Sequence, residues 1–239
     1  MIKLKTPLSE EAVRKLKIGD MVELSGVVFT ARDMAHKYFI ENPDRFRDML
    51  KNSVIFHCGP IAKKEGSEWK IAAAGPTTSI REEPYEADVI KNYGIRAVIG
   101  KGGMGEKTLA AMKKYGCAYL SAVGGIAALI AKSIKKVKNV YMLDEFGVPE
   151  AIWELEVEGF PAIVTMDANG NSLHNDILKK SEDNYKKFVY QSGVVLGHDF
   201  YGRQIKISFI FTFTRGSIAF IVPIFYFSAF ARGFGKYSD

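Results

Sequence analysis

Cysteine is scarce. The 239 residues contain two, Cys58 and Cys117, and no Cys-x-x-Cys pair. Two thiols cannot supply the three or four thiolates of a zinc ribbon or an iron–sulfur cluster, so this sequence cannot build either by itself. Both cysteines sit in strand-like apolar runs and read as buried small hydrophobes. Sparing use of cysteine fits a reducing compartment, and Met1 is followed by lysine-rich polar sequence rather than a signal peptide; the expectation is a cytoplasmic protein. A basic stripe is also missing. The formal charge is +6, but from Asp176 onward nine Lys/Arg face five Asp/Glu, which leaves only +2 on residues 1–175. Nucleic acid is therefore not expected as a partner. Long apolar runs are lacking too. The longest, residues 216–231, is 16 residues with Pro223 inside, short of the roughly 20 that a spanning helix needs.

What is present is a pair of loops. Residues 69–74 read as a strand broken by Gly75-Pro76, after which Thr77-Thr78-Ser79-Ile80-Arg81 carries three hydroxyls and a guanidinium. Residues 96–100 read as a second strand, ending in Gly100-Lys101-Gly102-Gly103-Met104-Gly105. Ligands of α/β proteins bind at the carboxyl ends of strands, so the two loops are candidates for one site. A nucleotide reading of the second loop fails in detail. A P-loop needs four residues between its first glycine and Gly-Lys, then Ser or Thr; Gly94 is one residue too far from Gly100, and Gly102 follows Lys101. The G-x-G-x-x-G of a dinucleotide fold also lacks its later acidic residue.

The rest of the chain predicts a mixed α/β domain and not a regular βαβ series. Ser9 is a candidate cap for a short first helix, residues 21–29 form a strand, and Thr30 is a candidate cap for a helix that Asn42-Pro43 ends. Further strands are expected at 54–58, 118–123, 140–143, 154–158 and 160–166. Helices are expected at 84–93, 106–115 and from Gly124-Gly125 through 134, with 63–68 a polar turn. The composition shifts after residue 175. Half of the sixteen phenylalanines fall after Ser208, so residues 1–175 are taken as one domain and 176–239 as a Phe-rich appendage. The appendage reads as an irregular or hairpin unit, a poorly ordered tail, or a membrane anchor.

Three cations flank these loops. Arg32, Arg81 and Lys101 each lie beside residues that permit close backbone approach: Thr30-Ala31, Gly75-Pro76 and Gly102-Gly103. An Arg fork matches a carboxylate, and Lys adds a compact charge, so three that converge would bind a dianion; singly, each is an ordinary surface charge.

Five blocks occur in one order: Thr30-Ala31-Arg32-Asp33-Met34-Ala35-His36, Gly75 to Arg81, Gly100-Lys101-Gly102-Gly103-Met104, Ala122-Val123-Gly124-Gly125, and Pro149-Glu150-Ala151-Ile152-Trp153-Glu154-Leu155-Glu156-Val157. Together they resemble the β subunit, or C-terminal domain, of class I iron–sulfur fumarases and L-tartrate dehydratases, over residues 4–174. The resemblance implies a swivelling β/β/α domain with mixed sheets. It implies a separate α subunit that holds a 4Fe-4S cluster, with no metal ligand in this chain, and a site shared between the two. The substrate is a 2-hydroxy dicarboxylate, malate to fumarate first and tartrate as the alternative; a non-catalytic dicarboxylate-binding module is the other alternative. Carried over by position, Thr77 is the general base and Arg32, Arg81 and Lys101 hold the carboxylates. Asp33, His36, Thr78, Gly102 and Gly103 support them, Asp33 as a helix cap or Arg partner and His36 as a packed, hydrogen-bonded histidine. The implied assembly is an α2β2-type heteromer, or a homodimer of this chain alone, with no membrane association.

Overall fold

In the computed structural model, residues 1–191 are described, together with the strand segments Val195–Leu196, Ile207–Ser208, Ile210–Phe211, Phe213–Thr214, Ser217–Ile218 and Ile224–Phe225. Two compact units divide the chain, Met1–Asp176 and Ile177–Asp239. In the second, the short segments pair antiparallel: Val195–Leu196 with Ile210–Phe211, Ile207–Ser208 with Ile224–Phe225, and Phe213–Thr214 with Ser217–Ile218. The remainder of the Phe-rich appendage lies outside the described residues.

The first unit is built on a mixed seven-stranded sheet. Its strands are β1 (Ile2–Lys5), β2 (Met21–Thr30), β3 (Val54–Phe56), β6 (Ala97–Gly100), β7 (Ala118–Ser121), β8 (Ile134–Tyr141) and β9 (Ile152–Met166), and a separate hairpin pairs β4 (Ile61–Glu65) with β5 (Glu68–Ala73). The sheet order is β1-β2-β3-β6-β7-β9-β8, and β2 also pairs with β9. That extra pairing closes β2, β3, β6, β7 and β9 into a five-stranded ring. The closure depends on β2 changing neighbours. Its first half pairs with β1 as far as Lys5 opposite Ser25, and its end pairs with β3 at Phe29 opposite Ile55. Between them the register against β9 shifts at Gly26, where φ is +106° and an added Cβ would lie 2.3 Å from Thr6 Oγ1. A bulge of this kind bends a strand and lets a sheet curl.

Strand alternation sorts the apolar residues into two clusters. Val22, Leu24, Val28, Val54, Phe56, Ala97, Ile99, Ala118, Leu120, Leu155, Val157, Phe160 and Val164 form one. Their neighbours Phe29, Ile55, Val98, Tyr119, Ile152 and Met166 form the other, with residues of α2 (Asp33–Glu41), α3 (Arg47–Leu50), α4 (Glu83–Tyr93) and α5 (Glu106–Tyr115). Because those helices cover the second face, the first is the filled interior of the ring. Burial of each large apolar side chain is worth roughly 1.5–3 kcal/mol, so register errors, which would swap the two faces, are strongly disfavoured.

Several local expectations hold. Ser9 Oγ accepts from the Ala12 N–H to cap α1 (Glu10–Arg14), Gly94 and Gly116 end α4 and α5 in the left-handed conformation, and α2 stops before Pro43. Others change. Thr30 does not cap α2. It ends β2 fully buried, where its hydroxyl donates to Ala151 O and accepts from the Trp153 N–H. The cap position belongs to Arg32. The polar run 63–68 is mostly strand, since β4 and β5 lie with one side exposed and need no apolar alternation there. The helix expected through 134 is only α6 (Ala127–Ala131), and β8 begins at Ile134 although lysines fill its exposed side. The two strands expected around Gly159 are one, β9, because Gly159 takes φ +63° within an unbroken run.

Candidate functional site

Four strands, β2, β3, β6 and β7, run parallel where they are neighbours. Their carboxyl ends therefore gather the loops that follow them on one side of the ring, the usual side for ligands in such sheets. Backbone hydrogen bonds then fasten one loop to the next. The Ala31 N–H donates to Phe56 O, His57 N–H to Ile99 O, and Ala122 N–H to Gly100 O. Thr77 N–H donates to His57 O at 2.7 Å, Lys101 N–H to Thr77 O at 3.2 Å, and Ser79 N–H to Lys101 O at 3.0 Å. The last two make Thr78 and Lys101 a parallel bridge. The two loops singled out in the sequence thus meet as a short piece of sheet.

Arg81 follows in a 3-10 turn (Ser79–Glu82). Its Nη2 lies 2.7 Å from Asp33 Oδ2, which ties the Thr77–Arg81 loop to the first turn of α2. Beside Asp33, the Arg32 guanidinium is half-buried, with Nε 3.2 Å from Glu150 Oε1, while the other Glu150 oxygen accepts from the Met34 N–H. Gly59 leaves room for it: a Cβ there would lie 2.6 Å from Arg32 Nη1. Each guanidinium is thus gripped through one nitrogen, and among the described residues the rest of its fork has no side-chain partner. Lys101 is exposed and makes no ion pair among the described residues. Thr77 is half-buried and its hydroxyl donates to His57 O at 3.0 Å. Thr78 is exposed.

Gly102 and Gly103 have φ of +84° and +74°, a conformation that other residues rarely adopt. Their surroundings differ. Nothing lies within 4 Å of a Cβ at Gly102, whereas one at Gly103 would lie 2.5 Å from the His174 ring. The close approach at Gly103 is to this chain's own histidine. Glu83 holds the far end of the loop: its carboxylate accepts from the N–H groups of Gly105 and Thr108 and from the Thr108 hydroxyl, and so caps α5 from outside.

His36 is fully buried, and it is not alone. His36 Nε2 lies 2.8 Å and His57 Nε2 3.0 Å from the same oxygen, Oε2 of Glu86. His36 Nδ1 meets Arg32 O at 2.9 Å; His57 Nδ1 meets Ser79 Oγ at 2.9 Å, and Ser79 Oγ meets the Tyr119 hydroxyl at 2.7 Å. Burial alone would push His36 down, but the Glu86 charge and hydrogen bond, helped by Glu82, lift it to about 8. For His57 burial prevails and the shift is downward. Burial pushes Glu86 up, yet the two histidines outweigh it and hold the carboxyl at about 2. Glu82, buried beside them, is raised to about 7. Sequence reading named only His36. A signal for Glu86 existed, since it shares the buried face of α4 with Val89, Ile90 and Tyr93. His57 carried one too, two residues beyond Ile55 on the helix-covered face.

Cluster chemistry does not fit this chain. Cys58 and Cys117 are buried in different apolar clusters. Desolvation pushes the Cys58 thiol up to about 12 and Cys117 well above its ordinary value, the reverse of what a thiolate ligand requires. Two surface clefts, one beside Ile2, Leu4 and Leu16 and the other beside Ile126, Leu129 and Pro161, hold none of the candidate residues. The Thr77–Lys101 face is open.

The amino-acid sequence is similar to those of known proteins. The chain is 51% identical over 189 residues to a Geobacillus stearothermophilus protein provisionally named fumarate hydratase class I, in a match that covers 79% of this chain and 36% of that one. It thus spans about a third of that relative's length. It is 46% identical over 186 residues to a Methanocaldococcus jannaschii protein provisionally named L(+)-tartrate dehydratase subunit beta, covering 76% of this chain and 95% of the relative. With the L(+)-tartrate dehydratase subunit beta of Escherichia coli K12 it shares 36% identity over 171 residues, 71% of this chain and 85% of the other. The family described as Fumarase C-terminus matches residues 1–177, and the chain belongs to that family.

Proposed function

We propose that residues 1–175 form the β-subunit-type half of an iron–sulfur hydro-lyase that reversibly dehydrates a 2-hydroxy dicarboxylate, malate to fumarate in the first place and tartrate as the alternative. The observation that carries the reading is the bridge between Thr78 and Lys101. It fastens the loop that carries Thr77 and Arg81 to the loop of Lys101, which is exposed and makes no ion pair among the described residues, and the Arg81–Asp33 pair ties the first of these loops to the start of α2 beside Arg32.

In this reading Arg32, Arg81 and Lys101 bind the two substrate carboxylates. Asp33 and Glu150 orient the guanidinium forks by one nitrogen each and leave the remaining N–H donors for substrate. The same cations offset the negative charge that builds when the C3 proton leaves. Thr77 removes that proton. Its hydroxyl donates to His57 O, and among the described residues no carboxylate reaches it to lower its effective pKa. The activating group is therefore assigned to an α subunit, which also carries the 4Fe-4S cluster and with it the Lewis acid for the departing hydroxyl. Exposed Met34, Ile80 and Val123 beside the site residues support coverage by a partner. The domain swivels against that partner in an α2β2-type assembly, residues 176–239 stand outside the catalytic unit, and the enzyme works in the cytoplasm. Among the described residues no helix is long and apolar enough to cross a membrane.

The test is anaerobic co-expression with a cluster-bearing α-type chain, followed by assay with malate, fumarate, tartrate and mesaconate. Turnover of a hydroxy diacid by the pair, with none by this chain alone, is the expected result. A pair that assembles, carries its cluster and turns over none of them overturns the reading.

A further inference from the structure

Beneath the open face lies a polar assembly that the proposed chemistry does not touch. Ser79, His57, Glu86, His36 and the Tyr119 hydroxyl sit in the helix-covered core, with His36, His57, Ser79, Glu86 and Tyr119 all fully buried. Their distances allow one consistent placement of protons. His36 and His57 both aim Nε2 at a single oxygen of Glu86, at 2.8 and 3.0 Å. A carboxylate oxygen only accepts, so both Nε2 atoms must carry hydrogen; a bare nitrogen there would set lone pair against lone pair. His36 Nδ1 faces Arg32 O, another acceptor, so it carries hydrogen as well and His36 is the imidazolium. His57 Nδ1 faces a hydroxyl, which can donate to it. A second imidazolium, with its ring centroid 5.0 Å from that of His36 in a dry core, would be costly, so His57 is neutral and Ser79 donates to Nδ1. Ser79 Oγ then accepts from the Tyr119 hydroxyl.

We infer that Tyr119, Ser79, His57, Glu86 and His36 form a buried positioning network, a continuous line of hydrogen bonds between the Tyr119 hydroxyl and the Arg32 carbonyl in which both histidines donate to Glu86, that fixes the Thr77–Arg81 loop relative to the loop bearing Arg32. The inference rests on the proposed function only in naming those loops as the substrate site. The line holds both of them, through Ser79 and through the Arg32 carbonyl. Ser79 lies two residues from Thr77 and from Arg81, and the Thr77 hydroxyl donates to the carbonyl of His57 itself. Arg32 occupies the cap of α2, where its carbonyl also accepts the His36 N–H. Gly100 makes room for the line: a Cβ there would lie 1.9 Å from Ser79 Oγ and 2.8 Å from the Tyr119 hydroxyl. The groups facing His36 are Glu86 from α4, Glu82 from the 3-10 turn, His57 from the end of β3, and the Phe39 ring from its own helix. The raised pKa of His36 and the lowered pKa of His57 agree with this assignment of charge.

A cation could in principle replace the shared protons, since the three ligand atoms lie within 4.8 Å of one another. Both imidazoles would then need a bare Nε2, which gives the two readings opposite signatures. Nitrogen-15 and proton NMR of histidine-labelled full chain near neutral pH decides between them. The network predicts one doubly protonated histidine and one neutral histidine with hydrogen on Nε2, both unmoved by added zinc chloride. In Tyr119→Phe, which deletes one hydroxyl, it predicts shifts of both ring signals and of the Arg32 and Asp33 amides. Hydrogen on Nδ1 of His57, a neutral His36, zinc-dependent loss of the Nε2–H signals, or still Arg32 amides in Tyr119→Phe would each overturn it. In the assembled enzyme, Tyr119→Phe and Glu86→Gln should raise KM more than they lower kcat, with a combined loss in kcat/KM of up to about 100-fold, the scale of a 1 Å misplacement. Unchanged KM in a folded variant contradicts the network. An inactive wild-type assembly contradicts the proposed function instead, and leaves the spectroscopic arm to judge the network.

Discussion

The face and the core of this site use polar groups in opposite ways. On the face, Lys101 makes no ion pair among the described residues, Arg81 and Asp33 pair in the open, and the Thr77 hydroxyl donates to a carbonyl. Exposed ion pairs of this sort contribute little stability, so the residues there are not held by what they gain from one another. Below them, Glu86 and two histidines are fully desolvated and hydrogen-bonded in sequence. Breaking that arrangement leaves a buried charge without its partner, which costs far more. The face is therefore free to exchange partners with a substrate, while the core holds still. Substitutions on the face should change catalysis and spare stability; substitutions in the core should disturb both.

The largest effect is expected at Thr77. Thr77→Val keeps the shape and deletes the oxygen, so kcat should fall by about 10²- to 10⁴-fold in the assembled enzyme, with KM and Tm nearly unchanged. Thr77→Ser should retain a substantial part of the rate. A modest loss in Thr77→Val, confined to KM, would make Thr77 a carboxylate contact and nothing more. Next comes Arg81→Lys, which keeps charge and loses the fork. A fall in kcat/KM of roughly 10- to 1000-fold is expected from the worth of a charged hydrogen bond, read by steady-state kinetics, without a change in Tm.

The core should respond differently. Gly100→Ala forces a methyl against Ser79 and Tyr119 and should cost about 1–3 kcal/mol by urea denaturation, as overpacking does. Equal stability would show that the line can shift aside. Smaller still is the pH dependence. His36 binds its proton more tightly when folded, at about 8 against an ordinary 6.5, so its contribution is full below 6.5 and fades as pH rises through 8. Glu82, raised to about 7, also disfavours the fold as it ionises between 4.5 and 7. Glu86, depressed to about 2, contributes above 4.5 and loses its part as pH falls toward 2. Tm should therefore be highest in mildly acidic solution and lower at pH 9 than at pH 6, and Glu86→Gln should flatten that difference. The smallest effect belongs to the second unit: removal of residues 177–239 should leave the Tm of the first within a few degrees, by calorimetry.

The two regions also differ in how far sequence reveals them. Loop residues advertise themselves, because Gly75-Pro76 and Gly102-Gly103 mark strand ends and leave Thr77, Arg81 and Lys101 in view. Their meeting was legible only as an expectation, since the Thr78–Lys101 bridge depends on β6 lying beside β3, a long-range pairing no local pattern encodes. The core was mostly hidden. Glu86 resembles any charge on a helix until its register with Ile90 and Tyr93 is followed, and His57 sits in an apolar run where a packed residue of any kind is expected. The ring itself was illegible for a similar reason. Its closure rests on β9 running unbroken past Gly159, and glycine in a strand reads as a break.

The proposed function turns on whether this chain brings the base for C3. Solvent deuterium exchange into C3 of the hydroxy acid, followed separately from net dehydration in the assembled enzyme, tests it most directly. With Thr77→Val, exchange and dehydration should disappear together, while cluster content and substrate binding persist. Exchange that continues at close to the wild-type rate in Thr77→Val would contradict it and give the base to another residue.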